Sequence, residues 1–234
     1  MKLEGIKTVV YDLDDTLYDF LSLHPEAYRK MLDKAEELTG VSRETFAASY
    51  ESTFRELCQS MMEGVVVGAA HSRTLRLCLA LEKLDLPLFP TAGILYDVYW
   101  NSIFERMEKR PGIEETMQVL KEKGIRIGIG TNMSVGVQYK KIERLGLGKY
   151  IDFLLSSEEA VYDKPHPRFF DTVAQKARCE RNEILFIGDN KNHDYVPALQ
   201  AGMHAFWYRP DLSLSIGTEE EGDRIITDHR EILQ

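Results

Sequence analysis

The chain has 234 residues, of which 44% are hydrophobic and 29% are charged, and its formal net charge is −9 at pH 7. This length is sufficient for one large domain, or for one domain with a substantial insertion, and for a proper hydrophobic core. The acidic balance argues against wide surfaces for nucleic acids or anionic membranes, because such surfaces need clustered Lys and Arg. A small anionic substrate is still compatible with it, since a local cation or metal can reverse the field inside one cleft.

Cysteine usage and apolar runs indicate the compartment. Cys58, Cys78 and Cys179 are widely spaced and form no CxxC pair, so they indicate neither a disulfide framework nor a zinc site. The first ten residues lack the apolar core of a signal peptide, and the strongest apolar run, Gly64 to Ala70, is too short to span a bilayer. We therefore expect a cytoplasmic protein with no membrane partner.

The first predicted element is a buried strand over residues 6–11, which runs directly into Asp12, Asp14 and Asp15. Two like charges ~4 Å apart repel by about 4 kcal/mol at an effective dielectric constant of about 20. Carboxylates crowded at the end of a buried strand therefore predict a compensating cation. Asp15 lies at a turn position that needs only a polar residue, and we interpret it as structural.

The segment from residue 19 to residue 109 shows helical periodicity and no convincing strand. Helices are predicted over residues 23–40, 42–64, 71–85 and 91–110. This pattern indicates an all-helical insertion, which is either an extra packing layer or a lid over the ligand-binding edge of a sheet. The aromatic residues of the last helix fall at helical spacing and are interpreted as core.

The remaining chain alternates between short β-type runs and helical patterns. Strands are predicted over residues 125–130, 151–155, 183–188, 203–208 and 224–227, and helices over residues 111–124, 134–148 and 167–178. The first of these helices is expected to begin with Pro111 as its first residue and to end at Gly124. Alternating strands and helices predict an α/β fold with a Rossmann-like parallel sheet that has helices on both faces.

Polar residues follow most of the predicted strands, at the edge where open α/β sheets bind ligands. Asp12 and Asp189 come from different strands and offer hard oxygen ligands, which suit Mg²⁺ better than zinc, since no His or Cys is placed to join them. Mg²⁺ is therefore the predicted cation. The other polar residues expected at this edge are Asp14, Thr131, Asn132, Lys164 and Asp194.

These residue types suit phosphoryl chemistry. A carboxylate that faces a phosphate can act as a nucleophile, because a covalent aspartyl-phosphate divides one hard step into two. Lys164 would neutralise phosphate oxygens, and Thr131 offers a hydroxyl group. Asp14, two residues beyond Asp12, is free to act as the general acid and base, and we expect neighbouring carboxylates to favour its protonated form and Mg²⁺ to oppose it.

Four stretches, DLDDTL, IGIGTN, DKPHP and GDNKNHD, resemble in order and spacing the signature motifs of the haloacid dehalogenase (HAD) superfamily of phosphotransferases. The resemblance extends from Val9 to Tyr208, and four ordered motifs are far more specific than a DxD pair alone. The helical insertion resembles the C1 cap of the subgroup that contains nucleotidases and sugar phosphatases. The resemblance implies a HAD-like core domain over residues 1–18 and 110–234, and a cap domain over residues 19–109.

The resemblance also implies a role for each motif residue. Asp12 would be the nucleophile and a metal ligand, Asp14 the acid and base with its backbone carbonyl on the metal, and Asp189 a further metal ligand. The remaining motif residues would bind phosphate (Thr131, Asn132), stabilise charge (Lys164), or support the metal shell or Lys164 (Asp194). Met133 and Pro197 stand where many relatives carry glycine, but neither replaces a reacting group.

Some roles stay open from the sequence. Asp194 precedes Val196 and Pro197 and could instead cap a helix. Substrate specificity is expected from Tyr18, Asp19 and Phe20, and from residues 63–73, where Arg73 could meet a second anionic group.

The predicted activity is Mg²⁺-dependent hydrolysis of a small phosphomonoester, such as a nucleotide or sugar phosphate, with no nucleic-acid partner. A phosphomutase would keep all four motifs. A dehalogenase would lack the equivalents of Asp14 and Asp189, and a binding protein without catalysis would be expected to lack a reacting residue.

Overall fold

A computed structural model describes residues 3–62, 71–211 and 224–234. The chain divides into two compact units, one formed by Met1–Asp19 and Glu108–Gln234 and the other by Phe20–Met107. Among the described residues, no helix is long and apolar enough to cross a membrane. The assignment of residues 19–109 to a cap domain remains a prediction.

The smaller unit is helical, and its four helices lie close to the predicted ranges. They are α1 (Phe20–Thr39), α2 (Arg43–Met62), α3 (Arg73–Lys83) and α4 (Thr91–Arg106). Leu23, Ala27, Met31 and Ala35 recur at helical spacing on the buried face of α1. Buried side chains of α4 include Tyr99, so the helical pattern of this segment is confirmed.

The larger unit is built on a parallel six-stranded sheet with the order β3-β2-β1-β4-β5-β6. The strands are β1 (Thr8–Tyr11), β2 (Arg126–Thr131), β3 (Phe153–Ser156), β4 (Ile184–Gly188), β5 (His204–Tyr208) and β6 (Ile225–Ile226). All four residues of β1 are buried, as expected for a central strand covered on both faces. The predicted α/β fold is confirmed.

The strand order reverses at β1, which pairs with β2 on one side and with β4 on the other. Tyr11 is in register with Ile129 of β2 and Ile187 of β4. The carboxyl ends of these three strands therefore lie side by side. Because crossover connections leave a crevice at such a point, this edge is where ligands bind in open α/β sheets.

The helices of the larger unit are α5 (Ile113–Glu122), α6 (Val135–Leu145), α7 (Ser157–Ala160), α8 (Pro167–Ala177) and α9 (Val196–Gln200). The predicted start of α5 at Pro111 is wrong, because Gly112 precedes the helix with a φ of 77° and caps it. A Cβ at Gly112 would lie 2.7 Å from Asp228 Oδ1, so a side chain there would meet the C-terminal segment as well as an unfavourable backbone conformation.

Candidate active site

The loop after β1 brings Asp12 next to the end of β4. The Asp12 N–H donates to Ile187 O at 2.8 Å, which continues the strand pairing by one residue. The chain then turns at Asp15, whose φ of 62° lies in the left-handed region that aspartate tolerates better than most residues. The structural interpretation of Asp15 fits this conformation.

Thr16 joins the ends of the two strands. Its Oγ1 lies 3.3 Å from Asp12 Oδ2 and 3.2 Å from Asp189 Oδ1, and it accepts the Asp189 N–H at 3.1 Å. The Thr16 carbonyl lies 3.0 Å from Nε2 of His229, a fully buried residue of the C-terminal segment. Burial lowers the pKa of His229 to about 4, so this ring is neutral and Nε2–H donates to the carbonyl.

Lys164 lies between two buried carboxylates. Its Nζ is 2.5 Å from Asp12 Oδ1 and 2.6 Å from Asp194 Oδ1, and only 4% of the Lys164 side chain is exposed. The backbone of Lys164 is fixed by Asn132, whose Oδ1 accepts the Lys164 N–H at 2.9 Å and whose Nδ2 donates to the Lys164 carbonyl at 3.2 Å. The side chain of Asn132 thus positions the lysine.

Asp12, Asp189 and Asp194 each offer a carboxylate oxygen, and these three oxygens lie within 4.8 Å of one another. Burial raises the pKa of Asp12 well above its ordinary value, and Asp194 and Asp189 add to this effect, although Lys164 opposes it. Burial and the neighbouring Asp194 and Asp15 raise the pKa of Asp189 to about 7. For Lys164, the two carboxylates outweigh burial and raise its pKa.

Lys164 contacts two of these three carboxylates. Beside burial, the neighbouring carboxylates raise the pKa values of Asp12 and Asp189, so negative charges crowd this site. Clustered carboxylate oxygens of this kind are the donor set that Mg²⁺ prefers, and a divalent cation would remove the excess charge. The residues present thus fit a magnesium ion, which Asp12 and Asp189 would hold.

Asp194 reaches this cluster because Gly188, the last residue of β4, has no side chain. A Cβ at Gly188 would overlap the Asp194 carboxyl group. Asp194 Oδ2 accepts the N–H of Asn190 at 3.0 Å, and α9 begins later, at Val196. The alternative role of Asp194 as a helix cap is therefore not what the structure shows, since its carboxylate is bound to Lys164 and to the loop.

Asp14 belongs to a second, separate ion pair. Lys141 Nζ lies 2.6 Å from Asp14 Oδ1, Gln138 Nε2 lies 3.0 Å from Asp14 Oδ2, and the Tyr18 hydroxyl also donates to the carboxylate. Burial opposes ionisation, but Lys141 and these donors more than offset it, and the pKa of Asp14 is lowered. The expectation that neighbouring carboxylates favour a proton on Asp14 is thus wrong for this arrangement, because its nearest charged partner is a cation.

Sequence reasoning missed Lys141 and Gln138. Both are fully buried in α6, on the face that also carries Val137, Ile142 and Leu145. The sequence spacing could have indicated them, because intervals of three and four residues place Gln138, Lys141 and Leu145 on one face of a helix. Two polar residues on an otherwise apolar helix face indicate a buried polar partner.

The end of β2 connects this second ion pair with the proposed phosphate binders. Gln138 Nε2 also donates to Thr131 Oγ1 at 2.6 Å, so Gln138 links Thr131 to Asp14. Met133 has a φ of 118°, within the range that favours glycine, and its N–H donates to Ser157 Oγ at 3.0 Å. Phosphate binding by Thr131 and Asn132 stays a prediction.

The expected specificity residues occupy different surroundings. Tyr18 is fully buried, and its hydroxyl donates a hydrogen bond to Asp14. Phe20 opens α1 and stacks on His24 with ring centroids 5.6 Å apart, and Arg73 opens α3 and is buried in the helical unit. Residues 63–70 of the predicted specificity loop lie outside the described residues.

A cleft at the carboxyl ends of the strands collects most of the predicted site. It is lined by Asp12, Asp14, Asp15, Thr131, Asn132, Lys164, Asp189, Asn190, His193 and Asp194. Five of these lining residues are aspartates and one is a lysine. A phosphate dianion would be repelled by this cleft unless a cation accompanied it.

Comparison with known proteins identifies the family. Residues 6–202 match the sequence profile of the haloacid dehalogenase-like hydrolases. The chain belongs to this family. The haloacid dehalogenase-like chain is 31% identical to a ribulose-1,5-bisphosphate 5-phosphatase of Halopiger xanaduensis, over 95% of its own length and 92% of the relative. It is also 28% identical to a glyceraldehyde 3-phosphate phosphatase of Pyrococcus abyssi, over 87% of its length and 82% of the relative.

A solved structure shares the fold. A 2-haloacid dehalogenase from Pseudomonas syringae pv. Tomato DC3000 superimposes with a TM-score of 0.76 at 26% identity, covering 97% of this haloacid dehalogenase-like chain and 98% of the other. The resemblance drawn from four motifs is thus confirmed for the family and for the fold.

The raised pKa of Asp189 predicts a pH-dependent stability in metal-free buffer. An unfolded aspartate titrates near 3.9 and the folded Asp189 near 7, so between these values the folded state binds more protons. The free energy of unfolding should therefore fall as pH rises from about 4 to about 7, by a few kcal/mol at about 1.4 kcal/mol per pKa unit. Urea unfolding at pH 5, 6, 7 and 8 measures this slope. Asp189→Asn should reduce this slope but not remove it, because the pKa of Asp12 is also raised, and an unchanged slope in that variant would contradict the assignment.

Replacing Lys141 with methionine should raise the pKa of Asp14. The variant removes the cation that lies 2.6 Å from Asp14 Oδ1, so the carboxylate retains its proton to higher pH. The pH–rate profile of phosphate release should shift to higher pH by about one unit or more, since an adjacent opposite charge typically lowers a carboxyl pKa by about 1–3 units. Lys140→Met is the matched control, because Lys140 is the exposed neighbour on the same helix. Equal profiles for the two variants would contradict the prediction.

Proposed function

We propose that the protein is a Mg²⁺-dependent phosphatase that hydrolyses a small phosphomonoester through an aspartyl-phosphate at Asp12. The observation that carries the proposal is the placement of Asp12 against Lys164, at 2.5 Å, in a cluster of three carboxylates. That arrangement holds a nucleophile, a cation for phosphate oxygens and an oxygen donor set for magnesium. The phosphatase names of the two relatives described above support it.

In this proposal Asp12 attacks phosphorus in line and the ester oxygen leaves as an alcohol. Asp14 protonates the leaving oxygen, and the same carboxylate, now ionised, takes a proton from the water that hydrolyses the acyl-phosphate. The ion pair with Lys141 favours the ionised form that the second step needs. The first step needs the protonated form, and the negative charge of an entering phosphate raises the pKa of a nearby carboxyl group.

The other residues hold the reacting groups in place. Lys164, fixed at its backbone by Asn132, would bind phosphate oxygens as charge develops on them. Thr16 orients Asp12 and Asp189. When bound, magnesium would supply charge neutralisation and polarisation of the phosphate, held by Asp12, Asp189 and the backbone carbonyl of Asp14.

Three further assignments belong to this proposal. Residues 19–109 act as a cap that selects the substrate. The substrate is a small phosphorylated metabolite, and neither nucleic acid nor membrane is a partner. The compartment is the cytoplasm, where cysteines such as Cys58, Cys78 and Cys179, which are unpaired in the structure, stay reduced.

A panel of phosphomonoesters assayed with and without Mg²⁺ tests the proposal. The panel contains p-nitrophenyl phosphate, nucleoside 5′-phosphates, sugar phosphates and triose phosphates, with 2-chloropropionate as a dehalogenase substrate. Phosphate release that needs Mg²⁺ is expected for at least one phosphate ester, without chloride release. If phosphate release stops after a stoichiometric burst, and a sugar bisphosphate restores turnover, the protein is instead a phosphomutase. Chloride release without metal would overturn the proposal.

A further inference from the structure

The helical unit contains a pair of arginines packed among aromatic rings. Arg73, at the start of α3, is 9% exposed. Its Nη1 donates to the Tyr50 hydroxyl at 2.6 Å, and its guanidinium carbon lies 3.5 Å from the ring centroid of Tyr99. Arg76, one turn later, lies 4.2 Å from the ring centroid of Tyr50. The two cations thus share Tyr50.

Neither arginine has an acidic partner among the described residues. No carboxylate oxygen of the described ranges lies within 4.0 Å of either guanidinium group, and the Nε atoms of both arginines are buried without a hydrogen-bond acceptor. A guanidinium group has five N–H donors, and among the described residues Arg73 donates to the neutral hydroxyl of Tyr50. Cation–π contacts replace only part of the hydration that such a group loses on burial.

Other arginines of the same unit are paired. Arg29 and Arg43 are exposed and bind Asp33 at 2.6 and 2.7 Å. Acidic residues thus lie against these two exposed arginines, and not against Arg73, which is buried, or Arg76, which is partly buried. This distribution is the reverse of what a purely structural core would favour, because buried charges are normally paired.

The groups around the pair do not supply negative charge either. His24 Nδ1 lies 2.7 Å from the hydroxyl of Tyr99, the ring on which Arg73 rests. Burial lowers the pKa of His24, and both arginines add to this effect, so His24 is neutral. Burial likewise lowers the pKa of Arg76, and Arg73 adds to it. Within the described ranges, the positive charge of the pair is therefore not compensated.

We propose that Arg73 and Arg76 form an oxyanion-binding site in the helical unit, which takes a phosphate or carboxylate group of a small molecule. Two guanidinium groups with free Nε–H donors match the geometry of such oxyanions, which accept charge-assisted and often bidentate hydrogen bonds. The oxyanion would supply both the missing negative charge and the missing acceptors. It comes either from a second anionic group on the substrate or from a separate anion.

A binding experiment tests the site without any turnover. The metal-free protein is titrated with inorganic phosphate at constant ionic strength by calorimetry. Arg76→Gln, and Arg73→Lys, which keeps the charge but removes the planar fork, should each weaken phosphate binding by about tenfold. Arg55→Gln is the matched control, because Arg55 is exposed on α2 in the same unit. Circular dichroism and thermal unfolding verify that each variant is folded.

A kinetic experiment distinguishes the two sources and rests on the proposed function. Butyl phosphate and 1,4-butanediol bisphosphate differ only in the second anionic group. If that group is the ligand, Arg76→Gln should lower the preference for the bisphosphate over butyl phosphate, measured as the ratio of their kcat/KM values, by about tenfold. If the ligand is a separate anion, phosphate binding weakens while the preference between the two esters is unchanged.

The outcomes are separable from failure of the phosphatase proposal. Folded Arg73 and Arg76 variants that bind phosphate as the unsubstituted protein does, and that keep its preference between the two esters, would overturn the site and leave the pair a packing feature. If neither ester is hydrolysed, the phosphatase proposal fails for these compounds, but the phosphate titration still decides the oxyanion site.

Discussion

Asp12→Asn is expected to abolish hydrolysis, with a loss in kcat on the order of 10⁴-fold or more, the scale on which a covalent nucleophile contributes. An asparagine amide keeps the size of the side chain and its place beside Lys164, but it cannot form an acyl-phosphate. The loss should appear in kcat and in kcat/KM together, measured by phosphate release at saturating Mg²⁺. Trapping of labelled phosphate on the protein by acid quench should occur with the unsubstituted chain and not with the variant.

The free energy of unfolding of Asp12→Asn shows whether the loss of activity comes from lost chemistry or from lost folding. Asp12 is buried, and the asparagine amide keeps its size and an oxygen that can accept a hydrogen bond from Lys164, so the substitution should cost little. Lys164 keeps its second partner, Asp194, at 2.6 Å. We therefore expect a free energy of unfolding within about 1 kcal/mol of the unsubstituted protein at pH 7.

The control is Asp15→Asn, the same chemical change in the same loop. Asp15 has a φ of 62°, and asparagine tolerates this conformation as well as aspartate does. Activity within about threefold of the unsubstituted protein is expected, since Asp15 is a partly buried turn residue with no reacting role in the proposal, and such a substitution changes a free energy by about 0.5 kcal/mol. Substantial turnover by Asp12→Asn, or equal losses in both variants, would contradict the role of Asp12.

The sheet and the cluster of polar residues at its carboxyl edge were predictable, because each depends on local pattern and on one general rule. Buried parallel strands appear as short apolar runs, and the polar residue after each run belongs to the edge where strand order reverses. Asp12, Thr131 and Asp189 all follow this rule. The end of α5 at Gly124 was predictable too, because glycine favours the left-handed conformation that Gly124 adopts, with a φ of 73°.

The electrostatics of Asp14 could not be predicted in the same way. Its partner Lys141 is 127 positions away in the chain, and nothing in the motif around Asp14 indicates which helix face will meet it. The predicted start of α5 was wrong for a related reason, because a Cβ at position 112 would lie 2.7 Å from Asp228 Oδ1 of the C-terminal segment. In both cases the deciding neighbour is distant in the sequence.

Lys164→Met should destabilise the protein as well as inactivate it. The substitution removes the only cation within hydrogen-bond distance of Asp12 and Asp194 among the described residues. Breaking a buried ion pair by removing one partner costs about 3–5 kcal/mol, because an uncompensated charge remains. Urea unfolding in metal-free buffer should show this loss, and phosphate release should fall by about 10²-fold or more, as for loss of an electrostatic transition-state contact.

The pH dependence of that loss identifies its cause. Without the lysine, the pKa of Asp12 rises further above the unfolded value of about 3.9, so the folded variant binds protons that the unfolded chain releases. Its free energy of unfolding must then fall as pH rises above about 4, and the difference from the unsubstituted protein should be larger at pH 8 than at pH 5. A loss caused only by poorer packing would be the same at both pH values.

Lys176→Met is the matched control for this prediction. Lys176 pairs with Glu159 at 2.5 Å, but both side chains are partly exposed, at 27% and 49%, and exposed pairs contribute about 0–1 kcal/mol. The control should therefore unfold almost as the unsubstituted protein does at either pH. If Lys164→Met behaved like Lys176→Met, the three carboxylates would not depend on the lysine for their charge balance. The case for a crowded anionic site that needs a cation would then be lost.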